Sequence, residues 1–146
     1  KNYHEWYNLQ YEICYFYNVY GPGQITEGDY ATVVGIFERQ YKNGDILTVV
    51  SPGTQTRDFT HVSDIVDGVI KATLSEKNGE WHLRSGEVIT LIQLADLFDT
   101  EWKIIPERKG ERFGATATDS STNDILNWKT RYNIKEYIQK IIKNGR

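Results

Sequence analysis

Residues 11–23 read YEICYFYNVYGPG, and the way this run ends decides the fold. Aromatic and β-branched residues carry it to Tyr20, which is strand chemistry, and Gly21-Pro22-Gly23 then stops the strand and turns the chain sharply. One residue does not suit a strand core. Asn18 is a residue type depleted from strands and costly to bury without partners. Its short side chain carries both donor and acceptor, which suits a cleft at a strand end. The alternative is a local role, an amide satisfying a backbone turn.

Upstream, KNYHEWYNL reads as the last turns of a helix, and a sequence that opens there on Lys1 is expected to be a piece of a longer protein. Downstream, Val33, Val34, Phe37 and Tyr41 recur at helical spacing before Gly44, and ILTVV is a short strand. SPGTQTRDF reads as a loop of turn formers. Val62, Ile65, Val66, Val69 and Ile70 then mark one helical face, with Thr60 or Ser63 as candidate N-caps. EWHLRSG and EVIT are strand pieces, Thr90 caps a brief helix, WKIIPE is a strand, and RKGERFG is a basic loop. DSSTNDILNW opens a further helix. Ile134, Tyr137, Ile138, Ile141 and Ile142 complete the chain as a strongly one-sided helix. Strands alternating with helices make the class α/β.

The 146 residues suffice for one domain with a real core, and 39% hydrophobic with 25% charged residues is a globular profile. A net charge of −3 argues against a nucleic-acid binder, which would carry a basic face, while leaving room for a small anion held by one or two arginines. No apolar run reaches the roughly 20 residues that span a bilayer. The single Cys14 makes no internal disulfide and reads as a buried thiol of a reducing, cytoplasmic compartment. His4, His61 and His82 are far apart, and no Cys/His pair has metal-ligand spacing. Neither G-x-G-x-x-G, a Walker sequence, Tyr-x-x-x-Lys nor G-x-S-x-G occurs, so these residues hold no complete catalytic set.

Polar residues gather in three turn-rich places: Asn18 before VYGP, Arg57 in TQTRDFTHVSD, and Arg108 with Glu111 in PERKGE. Taken in order, YFYNVYGPGQ, GDILTVVSPGTQTRDFTHVSDIVDGV and IPERKGE…DSSTNDILNW resemble the C-terminal half of NAD-dependent nucleotide-sugar epimerases and dehydratases. These are extended short-chain dehydrogenase/reductase proteins, typified by UDP-glucose 4-epimerase. The resemblance implies the C-terminal substrate-binding portion of that α/β fold, with the last strand or strands of a Rossmann domain whose remainder, with its Tyr-x-x-x-Lys pair, lies upstream. Residues 1–20 would end the Rossmann domain, 21–146 would form the substrate-binding region, and 61–84 would pack back on the Rossmann side.

It further implies roles by position. Asn18, Arg57 and Arg108 would hold the diphosphate, Glu111 the ribose hydroxyls, and backbone groups of Thr48 and Val50 the base, with Ala31 and Thr32 flanking it. Phe16 stands where a Tyr often approaches the nicotinamide of NAD, a cofactor held mainly by the other half. The implied partner is a nucleoside diphosphate-sugar, a UDP-sugar foremost; a homodimer is left open, and the chain alone is expected to be inactive. Dehydratase, decarboxylase and reductase chemistry, or a non-catalytic nucleotide-binding module, are the alternatives to an epimerase. Tyr15 replaces a common Arg, and Thr118 stands where an Asp is usual, with Asp119 next to it. Ala115 is expected to leave room for a larger or N-acetylated sugar. Without the partner half, an apolar face is expected to lie open around Ile65 and Val69.

Overall fold

The computed structural model describes residues 1–107, 110, 113–114 and 121–145. The opening run is not one strand. It is β1 (Ile13–Phe16) and β2 (Asn18–Tyr20), parted at Tyr17 because each half pairs elsewhere. β1 runs parallel to β5 (Glu80–Leu83), while β2 runs parallel to β4 (Thr56–His61), which takes β6 (Val88–Thr90) antiparallel on its other side. A third pair, β3 (Leu47–Val50) with β7 (Trp102–Ile105), is also parallel. The helices are α1 (Asn2–Tyr7), α2 (Val33–Asn43), α3 (Val62–Ser75), α4 (Leu91–Asp96), α5 (Ser121–Ile125) and α6 (Ile134–Lys143).

Two apolar cores follow from these pairings. In the larger, Val34, Phe37 and Tyr41 of α2 meet Leu47 and Val49 of β3, Tyr20, Phe59, α4 and the Ile134/Ile138/Ile141 stripe of α6. The 3.6-residue spacing of those isoleucines is what turns one face of α6 inward. In the smaller core, Ile65 and Ala72 of α3 pack on Trp81 and Leu83 of β5, with Leu126 and Trp128 closing it. Gly68 lets α3 approach, since a Cβ there would stand 2.6 Å from Leu83.

Three further expectations require correction. Arg57 and Asp58 belong to β4 rather than to a loop. The α3 N-cap is His61, whose side chain accepts from the Ser63 N–H; Ser63 is already inside the first turn, and the Thr60 hydroxyl is bound to the Ser85 N–H. Burial holds His61 below the ordinary histidine range, which keeps Nδ1 unprotonated for that cap. Finally, the exposed apolar stripe of α3 is Val66, Ile70 and Leu74, one step round from the expected face, because Ile65 is turned into the smaller core and Val69 packs against it.

Buried carboxylates hold the segments in register. Asp58, 1% exposed, accepts from the Ser85 N–H and hydroxyl and from the Gly86 N–H, and lies 3.8 Å from Arg84 Nε. Asp64, fully buried, accepts from the Arg131 and Tyr132 N–H groups. Each ties a helix or strand to a loop distant in sequence. Paired and hydrogen-bonded is the condition under which a buried charge is tolerated.

Candidate functional site: a cleft beside β2 and β3

A cavity of about 570 Å³ is bounded by β1, β2, β3, β4 and the start of α2. Phe37, Phe59 and Leu91 give it an apolar base, and polar groups reach it from separate segments. Of the residues singled out in sequence, Phe16, Asn18, Ala31, Thr32, Thr48, Val50 and Arg57 all line it. Arg108, Glu111, Ala115, Thr118 and Asp119 lie outside the described residues.

Asn18 opens β2, and its amide nitrogen donates to the Asp58 carbonyl at 3.1 Å across the parallel pair. That contact fixes the side chain. An amide nitrogen carries two hydrogens, so one bond orients the group without exhausting its donors. Arg57 is half-buried on β4, with Nη1 donating to the Thr56 carbonyl at 2.8 Å. A guanidinium carries five N–H groups in a planar fork. Asn18 and Arg57 therefore share one wall though 39 positions apart in the chain, because β2 and β4 are neighbours. Phe16, at the end of β1, exposes about half its surface.

The β3 strand presents an edge to the cavity. Leu47 and Ser51 send their N–H groups to β7, at Glu101 and Ile105, so the alternate residues Thr48 and Val50 point their backbone groups the other way. Two glutamines occupy part of that edge. Gln40 of α2 accepts from the Thr48 N–H at 3.1 Å, and Gln55 donates to the Val50 carbonyl at 3.0 Å. Among the described residues, the Thr48 carbonyl and the Val50 N–H are left: one acceptor and one donor.

Thr32 is both cavity wall and helix cap. Its hydroxyl accepts from the Gly35 N–H, and its O–H donates to Gln24 Oε1, while Gln24 Nε2 donates to Glu38 Oε2 and to Tyr137 Oη. Burial, and then the nearby Glu38 carboxylate, push the Tyr137 phenol up to about 12, so it stays a donor to Glu38. α6 is thus bonded through two side chains to the cavity wall.

Sequence reasoning misses Tyr17, Gln24 and Gln40. Gln24 directly follows the Gly-Pro-Gly turn and, as a polar residue beside a turn, breaks no local rule. Gln40 looks like any helix-surface Gln until β3 is placed beside α2. Among the described residues, no group of three or more His, Cys, Asp or Glu could hold a metal ion, and no helix is long and apolar enough to cross a membrane.

The same assembly of segments recurs in known proteins. UDP-N-acetylglucosamine 4-epimerase from Methanobrevibacter ruminantium M1, solved with UDP-N-acetylmuramic acid, superposes with a TM-score of 0.86 at 27% identity, covering 98% of this chain and 49% of that one. A putative UDP-glucose 4-epimerase of Methanocaldococcus jannaschii is 30% identical over 149 residues, which is 97% of this chain and 48% of the relative. UDP-glucuronic acid decarboxylase 6 of Arabidopsis thaliana is 28% identical over 142 residues, 92% of this chain and 40% of that protein. The chain thus spans less than half the length of each. The α/β arrangement is that of extended short-chain dehydrogenase/reductase proteins over roughly half their length. Residues 1–83, which carry β1 to β5 and both Asn18 and Arg57, match the family model described as NAD dependent epimerase/dehydratase, and to that family this chain belongs.

Proposed function

We propose that this chain forms the substrate-binding wall of an NAD-dependent nucleotide-sugar epimerase, and that the cavity holds the nucleoside diphosphate of a UDP-sugar. Residues 1–20 close the Rossmann side, 21–146 form the substrate region, and 61–84 return to the Rossmann side. The observation that carries the reading is the convergence of Asn18 and Arg57 on one cavity wall with the half-occupied β3 edge. Asn18 and Arg57, with Arg108, take the diphosphate, and Glu111 takes the ribose. The Thr48 carbonyl and Val50 N–H meet a base carrying one donor and one acceptor. Held at the nucleotide, the sugar is presented to the reacting centre without a further loss of rotational freedom.

NAD, when bound, accepts and returns the hydride. Phe16 is the residue of this chain set to meet it; with no glycine-rich phosphate loop among the 146 residues, the rest of its site lies elsewhere. The same lack of a Tyr-x-x-x-Lys pair makes the chain silent when assayed alone with UDP-sugar and NAD. A decarboxylase reading is kept as the second one, supported by the Arabidopsis relative.

Calorimetric titration with UDP tests the nucleotide site. Arg57→Gln should weaken binding by about tenfold or more, the loss of one charge-assisted contact of about 1.5–3 kcal/mol. An affinity unchanged by the substitution, or no UDP binding by the unaltered protein, overturns the reading.

A further inference from the structure

Tyr17 is where the opening run changes partners. Phe16, the last residue of β1, is level with Leu83 of β5, and Asn18, the first of β2, is level with Phe59 of β4. Strands β4 and β5 are not paired with each other, so at Tyr17 the chain passes from one sheet to another. A slip of one residue in a strand turns its side chains to the opposite face. At this junction such a slip would take Asn18 off the cavity wall.

Two side chains, consecutive in sequence, reach to different strands across the junction. Tyr17 Oη lies 2.9 Å from His82 Nδ1 on β5, whereas Asn18 Nδ2 donates to the Asp58 carbonyl on β4. A phenol is a far stronger acid than a neutral imidazole N–H, so the Tyr17 hydroxyl donates and Nδ1 accepts. His82 is in turn held firmly. The Tyr15 ring stacks on it at 4.8 Å and 14°, and the Tyr15 hydroxyl donates to Glu80 Oε2, two residues earlier on β5. The His82 main-chain N–H donates to the buried Thr122 hydroxyl oxygen at 2.9 Å. Tyr15, Glu80 and His82 stand outside the cavity lining, while Phe16, Tyr17 and Asn18 border it.

We propose that His82 is a positioning residue for the cavity: through its bond to Tyr17 it fixes the junction of β1 and β2, and so holds Phe16 and Asn18 at their separate places on the wall. The proposal rests on the nucleotide reading above, which gives Asn18 to the diphosphate, and deepens it by naming what keeps Asn18 there.

Calorimetric titration with UDP, alongside urea denaturation, is run on the unaltered protein, Tyr17→Phe, His82→Leu, their double variant and His82→Asn, at a temperature where each is fully folded. Tyr17→Phe removes one oxygen and keeps the ring, and Asn at 82 can place an acceptor where histidine has Nδ1. Tyr17→Phe and His82→Leu should each weaken UDP binding by about fivefold, as for one hydrogen bond. The double variant should fall no further, since both changes remove the same bond, and His82→Asn should stay within about twofold of the unaltered protein. A merely structural pair would lower the urea midpoints and leave the affinity of the folded protein unchanged. That outcome, additive losses in the double variant, or an Asn variant as weak as the Leu variant each overturns the proposal and leaves the nucleotide reading in place. Should His82→Leu not fold, Tyr17→Phe decides alone, an unchanged affinity being the refutation. An unaltered protein that binds no UDP refutes both.

Discussion

Replacing Asp58 with Asn should cost the fold about 3 kcal/mol, and the contacts show how that sum arises. The side chain is 1% exposed and makes three hydrogen bonds to the 85–86 turn: Oδ1 to the Ser85 N–H and hydroxyl, Oδ2 to the Gly86 N–H. In Asn, Oδ1 can keep its two partners, now as a neutral acceptor, and the Ser85 N–H retains the Thr60 hydroxyl oxygen in any case. The amide nitrogen that replaces Oδ2 then faces the Gly86 N–H, donor against donor. Losing that charge-assisted bond accounts for about 1.5–3 kcal/mol, and weakening the Ser85 contacts adds about 1 kcal/mol. Against a total stability of about 5–15 kcal/mol this is a large fraction. Urea denaturation followed by tryptophan fluorescence should show the midpoint falling with an unchanged m value. Asn18 donates to the Asp58 main-chain carbonyl, which the variant keeps, so any loss of UDP binding should not exceed what the lost stability explains. A midpoint shift equivalent to less than about 1 kcal/mol would refute the view that the carboxylate, rather than its shape, holds the turn.

Gly35→Ala should destabilise by about 1–3 kcal/mol in the same assay, because a Cβ at that position would stand 2.5 Å from the Ile25 carbonyl oxygen, a backbone atom with little freedom to retreat. Ile138→Ala, at a fully buried position of α6, should cost about 2–5 kcal/mol and expose any error in how α6 seats on the larger core. Glu12 should make stability fall in acid. Burial raises its carboxyl pKa, but the Trp81 indole N–H and the Gly79, Asn78 and Lys77 N–H groups together outweigh this and hold it below the ordinary range. Its stabilisation is thus complete above the unfolded carboxyl value and lost as pH falls through the depressed folded value; Glu12→Gln should flatten that limb of the pH–stability curve. His61, held low by burial, adds an earlier loss of stability as pH drops below the ordinary histidine range, which the His61→Asn variant, still able to cap α3, should lack.

Periodicity makes most of the fold legible in the sequence and stops being a guide where pairing partners decide. α6 is legible because its isoleucines repeat at helical spacing, and α4 because Thr90 announces a capping box that Gln93 completes. The division of YEICYFYNVY at Tyr17 is not legible: nothing local distinguishes Phe16 from Val19, and only the separate partners, β5 and β4, end one strand and start the next. Likewise Thr56 to Phe59 look like a polar loop because Arg57 and Asp58 interrupt the apolar pattern. They lie on a strand because Asp58 is needed inward, against the 85–86 turn, and Arg57 borders the cavity. The α3 cap is hidden for a related reason: Thr60, a good capping type, is already committed to Ser85.

The same reasoning explains which part of the site can be foreseen. Asn18 violates the pattern of its own segment and stands out from the amino-acid order alone as an exception to strand chemistry, whereas Arg57 sits in what reads as a polar loop and is marked by the motif around it. Gln24 and Gln40 violate nothing. Their effect arises because α2 lies between the loop that follows β2 and the β3 edge, so that one helix supplies Glu38 to fix Gln24 and Gln40 to fix Thr48. In this cavity the conspicuous Asn18 and Arg57 are the residues that the proposed reading gives to the ligand, and the glutamines that hold Thr32 and Thr48 come into view only through the packing.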